Sequence, residues 1–174
     1  MKLLTGDKIK LTRFKEHDIS ILEQWHQDEE FIRLMDSSPA FPKTEEELKE
    51  WYLKKLKTNE FLFAVRTLES DDLIGFLELD SIDWVNRNAW LSLGIGDQSN
   101  WNKGYGQEIL RLGLAFSFRE LNLHRVQLTV FESNKRAIAA YEKSGFKHEG
   151  GQREYLTRDG EPEDMLMFGI LRRE

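Results

Sequence analysis

Residues 91–108 read Leu91-Ser-Leu-Gly-Ile-Gly-Asp-Gln-Ser-Asn-Trp-Asn-Lys-Gly-Tyr-Gly-Gln-Glu108. A strand runs into a polar loop punctuated by glycine, and the loop runs into a long apolar helix. The first turn of any helix carries backbone N–H groups without partners and the positive end of the macrodipole. Gly104 and Gly106 let an anion come close to that backbone, and Lys103 adds a cation. These features suit a pyrophosphate. The two best-known phosphate loops are excluded. The chain has no G-x-x-x-x-G-K-[ST] run. G-x-G-x-x-G fails at both candidate sites, because Ser99 and Ile109 stand where its third glycine belongs. Taken alone, the glycines are equally readable as a plain turn and helix start.

A second segment stands about thirty residues further on: Phe131-Glu-Ser-Asn-Lys-Arg-Ala-Ile-Ala-Ala-Tyr-Glu-Lys-Ser-Gly-Phe146. Asn134 ends a strand and starts a helix, where its amide caps backbone N–H groups or reaches a ligand. Tyr141 lies seven positions on, nearly two turns, and so shares its face. A phenol there is placed to give a proton to a leaving group. It is equally readable as a core ring beside Ile138. Gly145 closes the helix as a left-handed cap.

Outward from these segments, Ile9 to Arg13 alternates as a strand, and Asp18 reads as the N-cap of a helix carrying Ile19, Ile21, Leu22 and Trp25. Helical stretches follow at Glu29 to Met35 and from the capping box Thr44/Glu47 to about Lys57. Phe61 to Val65, Leu73 to Asp83 and Trp90 to Ile95 form an antiparallel meander. Gly104 to Glu120 reads as a buried helix, with apolar residues pointing nearly all round. His124 to Phe131 is a strand, and the tail folds as a hairpin about Asp159-Gly160. The expected class is α/β (α+β): a mixed sheet with helices, forming a single domain over residues 1–174.

Composition narrows the function. Five Trp, four Tyr and eleven Phe exclude a disordered chain, and the absence of cysteine excludes disulfides and thiolate chemistry. The histidines at 17, 26, 124 and 148 lack zinc spacing, so no metal is expected. No uncharged apolar run approaches membrane length, and Met1 to Lys10 has no signal-peptide pattern, so a cytoplasmic protein is expected. Net charge is −6, which disfavours nucleic acid. Residues 16–60 hold twelve acids and six bases, against nineteen of each elsewhere. The whole excess therefore lies in one segment. It is either a solvated helical face or an acidic rim that attracts a cation.

Together these segments resemble the GCN5-related N-acetyltransferase (GNAT) superfamily over roughly Ile9 to Ile170. The resemblance is strongest to its branch of ribosomal-protein N-terminal and spermidine N-acetyltransferases. It is carried by Arg13 to Trp25 with Asp18, Ile74-Gly-Phe76, Asn102-Lys-Gly-Tyr-Gly106, Leu121-Asn-Leu-His-Arg125, Asn134-Lys-Arg-Ala-Ile138, Tyr141-Glu-Lys-Ser-Gly-Phe146 and Glu149-Gly150. It implies a mixed, mostly antiparallel sheet splayed between its fourth and fifth strands, helices on both faces, and acetyl-CoA in the gap as co-substrate. It implies the pantetheine arm along Leu93, Gly94 and Ile95, and the pyrophosphate on the amides of Asn102, Lys103, Gly104, Tyr105, Gly106 and Gln107. Asn134 matches a cofactor-contacting position, and Tyr141 the tyrosine that protonates the departing thiolate.

Two departures stand out. Trp101 occupies a position where the family usually has Gln or Arg, so one side-chain contribution to phosphate binding is expected to be lost. Ala89, Trp90 and Leu91 occupy a region where relatives often carry a glutamate, leaving Glu78, Asp80 or Asp83 as replacement acids. The implied chemistry is direct transfer. An amine attacks the thioester, a fourth-strand N–H steadies the oxyanion, Tyr141 protonates the thiolate, and Glu78, or a water that it holds, accepts the amine's proton. The expected acceptor is a polyamine, a protein N-terminus or a small cationic amine. Branch relatives are often dimers, and the tail hairpin offers a homodimer a pairing edge. The alternative is a non-catalytic acyl-CoA sensor or interaction module on the same fold.

Overall fold

The structure is a computed structural model that describes residues 2–58 and 60–174. Seven strands form one sheet: β1 (Ile9–Thr12), β2 (Phe61–Thr67), β3 (Leu73–Asp83), β4 (Asn88–Ile95), β5 (Arg125–Phe131), β6 (Lys147–Arg158) and β7 (Glu161–Leu171). Their order is β1-β2-β3-β4-β5-β7-β6, and every neighbouring pair is antiparallel except β4 with β5. Among the described residues, five α-helices cover it: α1 (Asp18–Trp25), α2 (Glu29–Met35), α3 (Glu45–Lys55), α4 (Tyr105–Ala115) and α5 (Lys135–Lys143). The expected strands and helices are all present, with ends shifted by one or two residues, except that the helix expected over Gly104 to Glu120 is α-helical only to Ala115.

Period-two alternation sends the sheet's side chains into two cores. On one face Leu77, Leu79, Leu91, Val126 and Leu128 meet Ile109, Leu110 and Leu112 of α4 and Tyr141 of α5. On the other, Ala64, Leu73 and Phe76 meet Ile19, Leu22, Trp25, Phe31 and Leu48 of α1 to α3. Gly113 is what lets α4 press close to the sheet, since a Cβ there would come within 2.9 Å of the Leu77 side chain.

Three capping signals hold, on two helices. Thr44 and Glu47 form the reciprocal capping box of α3. Asn134 Oδ1 accepts from Ala137 N–H at the start of α5. Gly145, after α5, has φ 95°. Two readings are corrected. Asp18 is not the N-cap but the first residue of α1. Its carboxylate is fully buried, accepts the Lys15 N–H at 2.6 Å and pairs with the Arg66 guanidinium of β2. A carboxylate taken out of water needs a cation and donors to stay folded, and Arg66 supplies the cation. The helix after Gly104 is not buried all round. Leu114 and Phe118 are only half-buried, and after Ala115 the coil widens into a π-helical stretch, Phe116–Glu120, in which Leu121 N–H reaches Phe116 O at 3.1 Å.

Asp18→Ala should lower stability by about 3 to 5 kcal/mol, because it strands a buried guanidinium. The double variant Asp18→Ala/Arg66→Ala should lose less than the two single variants summed. Urea unfolding midpoints measure both.

Candidate active site

Strands β4 and β5 pair over three residues only, Asn88 to Trp90 against Arg125 to Gln127. Beyond Trp90, β4 pairs only with β3 and β5 only with β7, so the facing edges diverge. The edge of β4 from Leu91 to Ile95 thus carries peptide groups with no strand beside them. A cavity of about 980 Å³ occupies the wedge. Leu110 of α4, Tyr141 of α5 and Met35 of α2 all line it, so it opens toward both layers of helices.

At the C-terminal end of β4 the chain makes a tight polar turn. Asp97 Oδ1 accepts from Ser99 N–H at 2.7 Å, and these hydrogen bonds hold its carboxyl below the ordinary range. Gly104, with φ 84°, is the N-cap of α4 and has no side chain to offer its helix. The first helical bond runs from Glu108 N–H to Gly104 O at 3.2 Å. The N–H groups of Asn102 to Gln107 donate to no other group among the described residues. Asn102, Gly104, Tyr105, Gly106 and Gln107 line the cavity; the exposed Lys103 does not.

This unsatisfied turn is braced from behind. The Glu108 carboxylate faces the N-terminal segment and takes the N–H groups of Asp7 and Lys8. Lys8 Nζ in turn donates to Lys103 O at 3.0 Å. The Gln107 side chain points to α5, donating to Ala140 O at 2.8 Å, so the loop helix and the Tyr141 helix are tied together.

Tyr141 is both a packed ring and a cavity-lining residue. Its ring packs against Phe146 and Phe168, at centroid distances of 5.9 and 6.3 Å, and it also lines the cavity. The phenol has no hydrogen-bond partner among the described residues, and burial alone pushes its pKa up to about 12. It therefore keeps its proton throughout the neutral range and holds no competing partner for it. Asn134, seven positions before Tyr141, lines the cavity as well.

The acids of β3 separate in the structure. Glu78 does not line the cavity. It is buried against α3, where its carboxylate pairs with Lys55, and it is linked to the wedge through Ser92 Oγ, 3.5 Å from Oε2. Lys55 also pairs with Glu60 at 3.0 Å. Burial opposes the charge of Lys55, but hydrogen bonds to Glu78 and Glu60 outweigh it and raise its pKa. One ammonium offsets one of two carboxylates. Burial pushes Glu78 up despite Lys55, whereas in Glu60 the hydrogen bond from Lys55 prevails over burial and lowers the pKa. Asp80, two residues on and so on the same side of the strand, does line the cavity and has no partner among the described residues. Asp36, just after α2, lines it as well.

One contact in the site, that of Arg136 with Trp101, escapes a reading of the sequence. Trp101 lines the cavity, its Nε1–H donates to Ile95 O at 3.0 Å, and Arg136 of α5 lies over its ring with Cζ 3.4 Å from the centroid. The only signal in the sequence was the position of Arg136 in the first turn of a helix already suspected of facing the ligand.

A mixed sheet that parts along its one parallel seam, with bare amides at the end of the parted strand, is the architecture of an acyl-coenzyme A transferase. The family model described as an acetyltransferase (GNAT) domain matches residues 8–147, and the chain belongs to that family. It is 32% identical to the SPbeta prophage-derived N-acetyltransferase YokL of Bacillus subtilis, over 98% of this chain and 93% of that one. It is 33% identical to the spermidine N(1)-acetyltransferase of Vibrio cholerae, over 72% of each. The crystal structure of the Vibrio cholerae spermidine N-acetyltransferase in complex with CoA and spermine superposes with a TM-score of 0.87, at 26% identity, over 97% of this chain and 98% of that one. The chain is thus an acetyl-CoA-dependent N-acetyltransferase. The cavity suits that co-substrate: a long unpaired strand edge for an amide-bearing arm, and a cluster of free N–H donors for phosphate.

In an alkaline titration followed by ultraviolet difference absorbance, the signal that separates the parent from Tyr141→Phe should develop near pH 12 rather than at the ordinary value of 10.0.

Proposed function

We propose that this enzyme acetylates a primary amine of a linear polycation, the polyamine class, by direct transfer within a ternary complex. The observation that carries the reading is Asp80, a carboxylate without a partner among the described residues, on the cavity wall opposite Trp90 of β4. Trp90 stands five residues before Ile95, about 16 Å along the strand from where the phosphate loop begins. A cationic amine held there lies well away from the phosphates, on the side of the sheet that α2 covers. Asp36 adds a second carboxylate to the cavity lining. The spermine in the complex of the related Vibrio cholerae enzyme supports the same acceptor class.

When bound, acetyl-CoA supplies the acetyl thioester. The chain supplies the rest. The N–H groups of Asn102 to Gln107 hold the phosphates, with Lys103 contributing charge from outside the cavity wall. The edge of β4 at Leu93, Gly94 and the N–H of Ile95, whose carbonyl Trp101 holds, pairs with the pantetheine amides, and an N–H of that edge steadies the negative charge that develops on the thioester oxygen. Asn134 shapes the wall beside the coenzyme while capping α5. Tyr141 donates its proton to the departing sulfur. Asp80 binds the acceptor's ammonium and accepts the proton that must leave before attack. Glu78, expected in that role, instead works one hydroxyl away, through Ser92. Alignment of the two reactants contributes much of the rate. The long exposed edge of β6 favours self-association into a homodimer.

A screen of spermine, spermidine, a basic N-terminal peptide and neutral amines by free-thiol release tests the acceptor class. Turnover of the polyamines supports the reading, and reaction with neutral amines alone removes it. Tyr141→Phe should lower kcat about 100-fold or more while leaving coenzyme affinity close to the parent's. Asp80→Asn should raise the acceptor KM about tenfold or more, with calorimetric CoA binding unchanged.

A further inference from the structure

Position 101 carries an aromatic ring immediately before the amide cradle, and the structure places a guanidinium on that ring. Arg136 Cζ is 3.4 Å from the ring centroid, a distance only a face-on approach allows. Arg136 has no carboxylate in ion-pair range among the described residues, and its N–H groups donate to none of them. An arginine that lines a cavity, stacked on one face and with its donor edge unengaged, is arranged to meet an anion. The ring beneath it is itself fixed, because Trp101 Nε1–H donates to Ile95 O at the end of the parted strand. Trp101 precedes Asn102, the first of the free amides, and Arg136, Trp101 and Asn102 line the same cavity.

We infer that Arg136 and Trp101 form a composite grip on the coenzyme's diphosphate. Arg136 supplies the cation from α5, and Trp101 is the positioning residue that holds its plane. The inference rests on placing the diphosphate at residues 102–107. It revises the expectation that a tryptophan at position 101 costs the site a side-chain contact: the charge comes from another helix, and the indole gives it a fixed direction. Stacking is the reason that arginine and not lysine is required, since an ammonium on a flexible stem has neither the planar face nor the forked donors.

Calorimetric titration of the purified chain with CoA, dephospho-CoA and pantetheine, none of which needs turnover, tests the grip. For Arg136→Gln, affinity for CoA and for dephospho-CoA should each fall about tenfold or more, while pantetheine, which has no phosphate, should bind as to the parent. Arg136→Lys should recover little of the loss. Trp101→Phe should keep most of the affinity, and Trp101→Ala should lose about as much as Arg136→Gln, with the double variant little worse than either single one. Thermal unfolding of each variant tells a folding defect from a binding one. Undiminished CoA affinity in Arg136→Gln overturns the grip but leaves the coenzyme placement standing. A loss seen with CoA and absent with dephospho-CoA also overturns it, by moving the contact to the 3′-phosphate. Equal affinity of the parent for CoA and pantetheine sinks the underlying placement, since the amide cradle would then hold nothing.

Discussion

Two parallel strands that pair for three residues and then part are the constraint on which the rest of this molecule depends. A buried strand edge is ordinarily intolerable, because each peptide group left without a partner costs as much as a lost hydrogen bond. Here the edge of β4 from Leu91 to Ile95 faces an open wedge, and the chain pairs it only on the β3 side. The packed cores on both faces make this affordable. Leu77, Leu79 and Leu91 press on α4, and Phe76 on the helices opposite, so the parted region is held by side-chain packing where backbone pairing stops.

The same logic extends to the loop. A helix N-terminus leaves donors bare wherever no side chain caps it, and Gly104 provides none. What keeps this turn in shape is contact from outside: Glu108 held by the backbone of Asp7 and Lys8, Lys8 on the Lys103 carbonyl, and Gln107 tied to α5. The donors stay available because the bracing uses other atoms. Charge is sorted in a similar way. Glu78 and Glu60 are engaged by Lys55 beneath the sheet, whereas Asp80 and Arg136 line the cavity without an ion-pair partner among the described residues.

Much of this was legible in the residues. Alternation and capping chemistry marked nearly every strand and helix, since both are local and short-range. The Thr44 to Glu47 box, the Asn134 cap, and Asp159 and Gly160 at positive φ are where pattern reading placed them. Asp18 was misread because its type fits a helix start, while its partner, Arg66, is 48 positions away. Glu78 and Asp80 look equivalent on one strand. What distinguishes them is which helix stands over each, and that depends on the packing of α2 and α3 rather than on β3.

The sequence by itself determined the elements, the family, and the bare amides after β4, because a strand, a glycine-rich turn and an apolar helix are written in consecutive residues. Only the tertiary structure decided how far β4 and β5 part, which acid faces the wedge, and that Arg136 lies on Trp101, 35 positions away in sequence. Those outcomes are set by non-local packing, where desolvation and the geometry of several elements act together on one side chain, and no run of neighbouring residues encodes that sum.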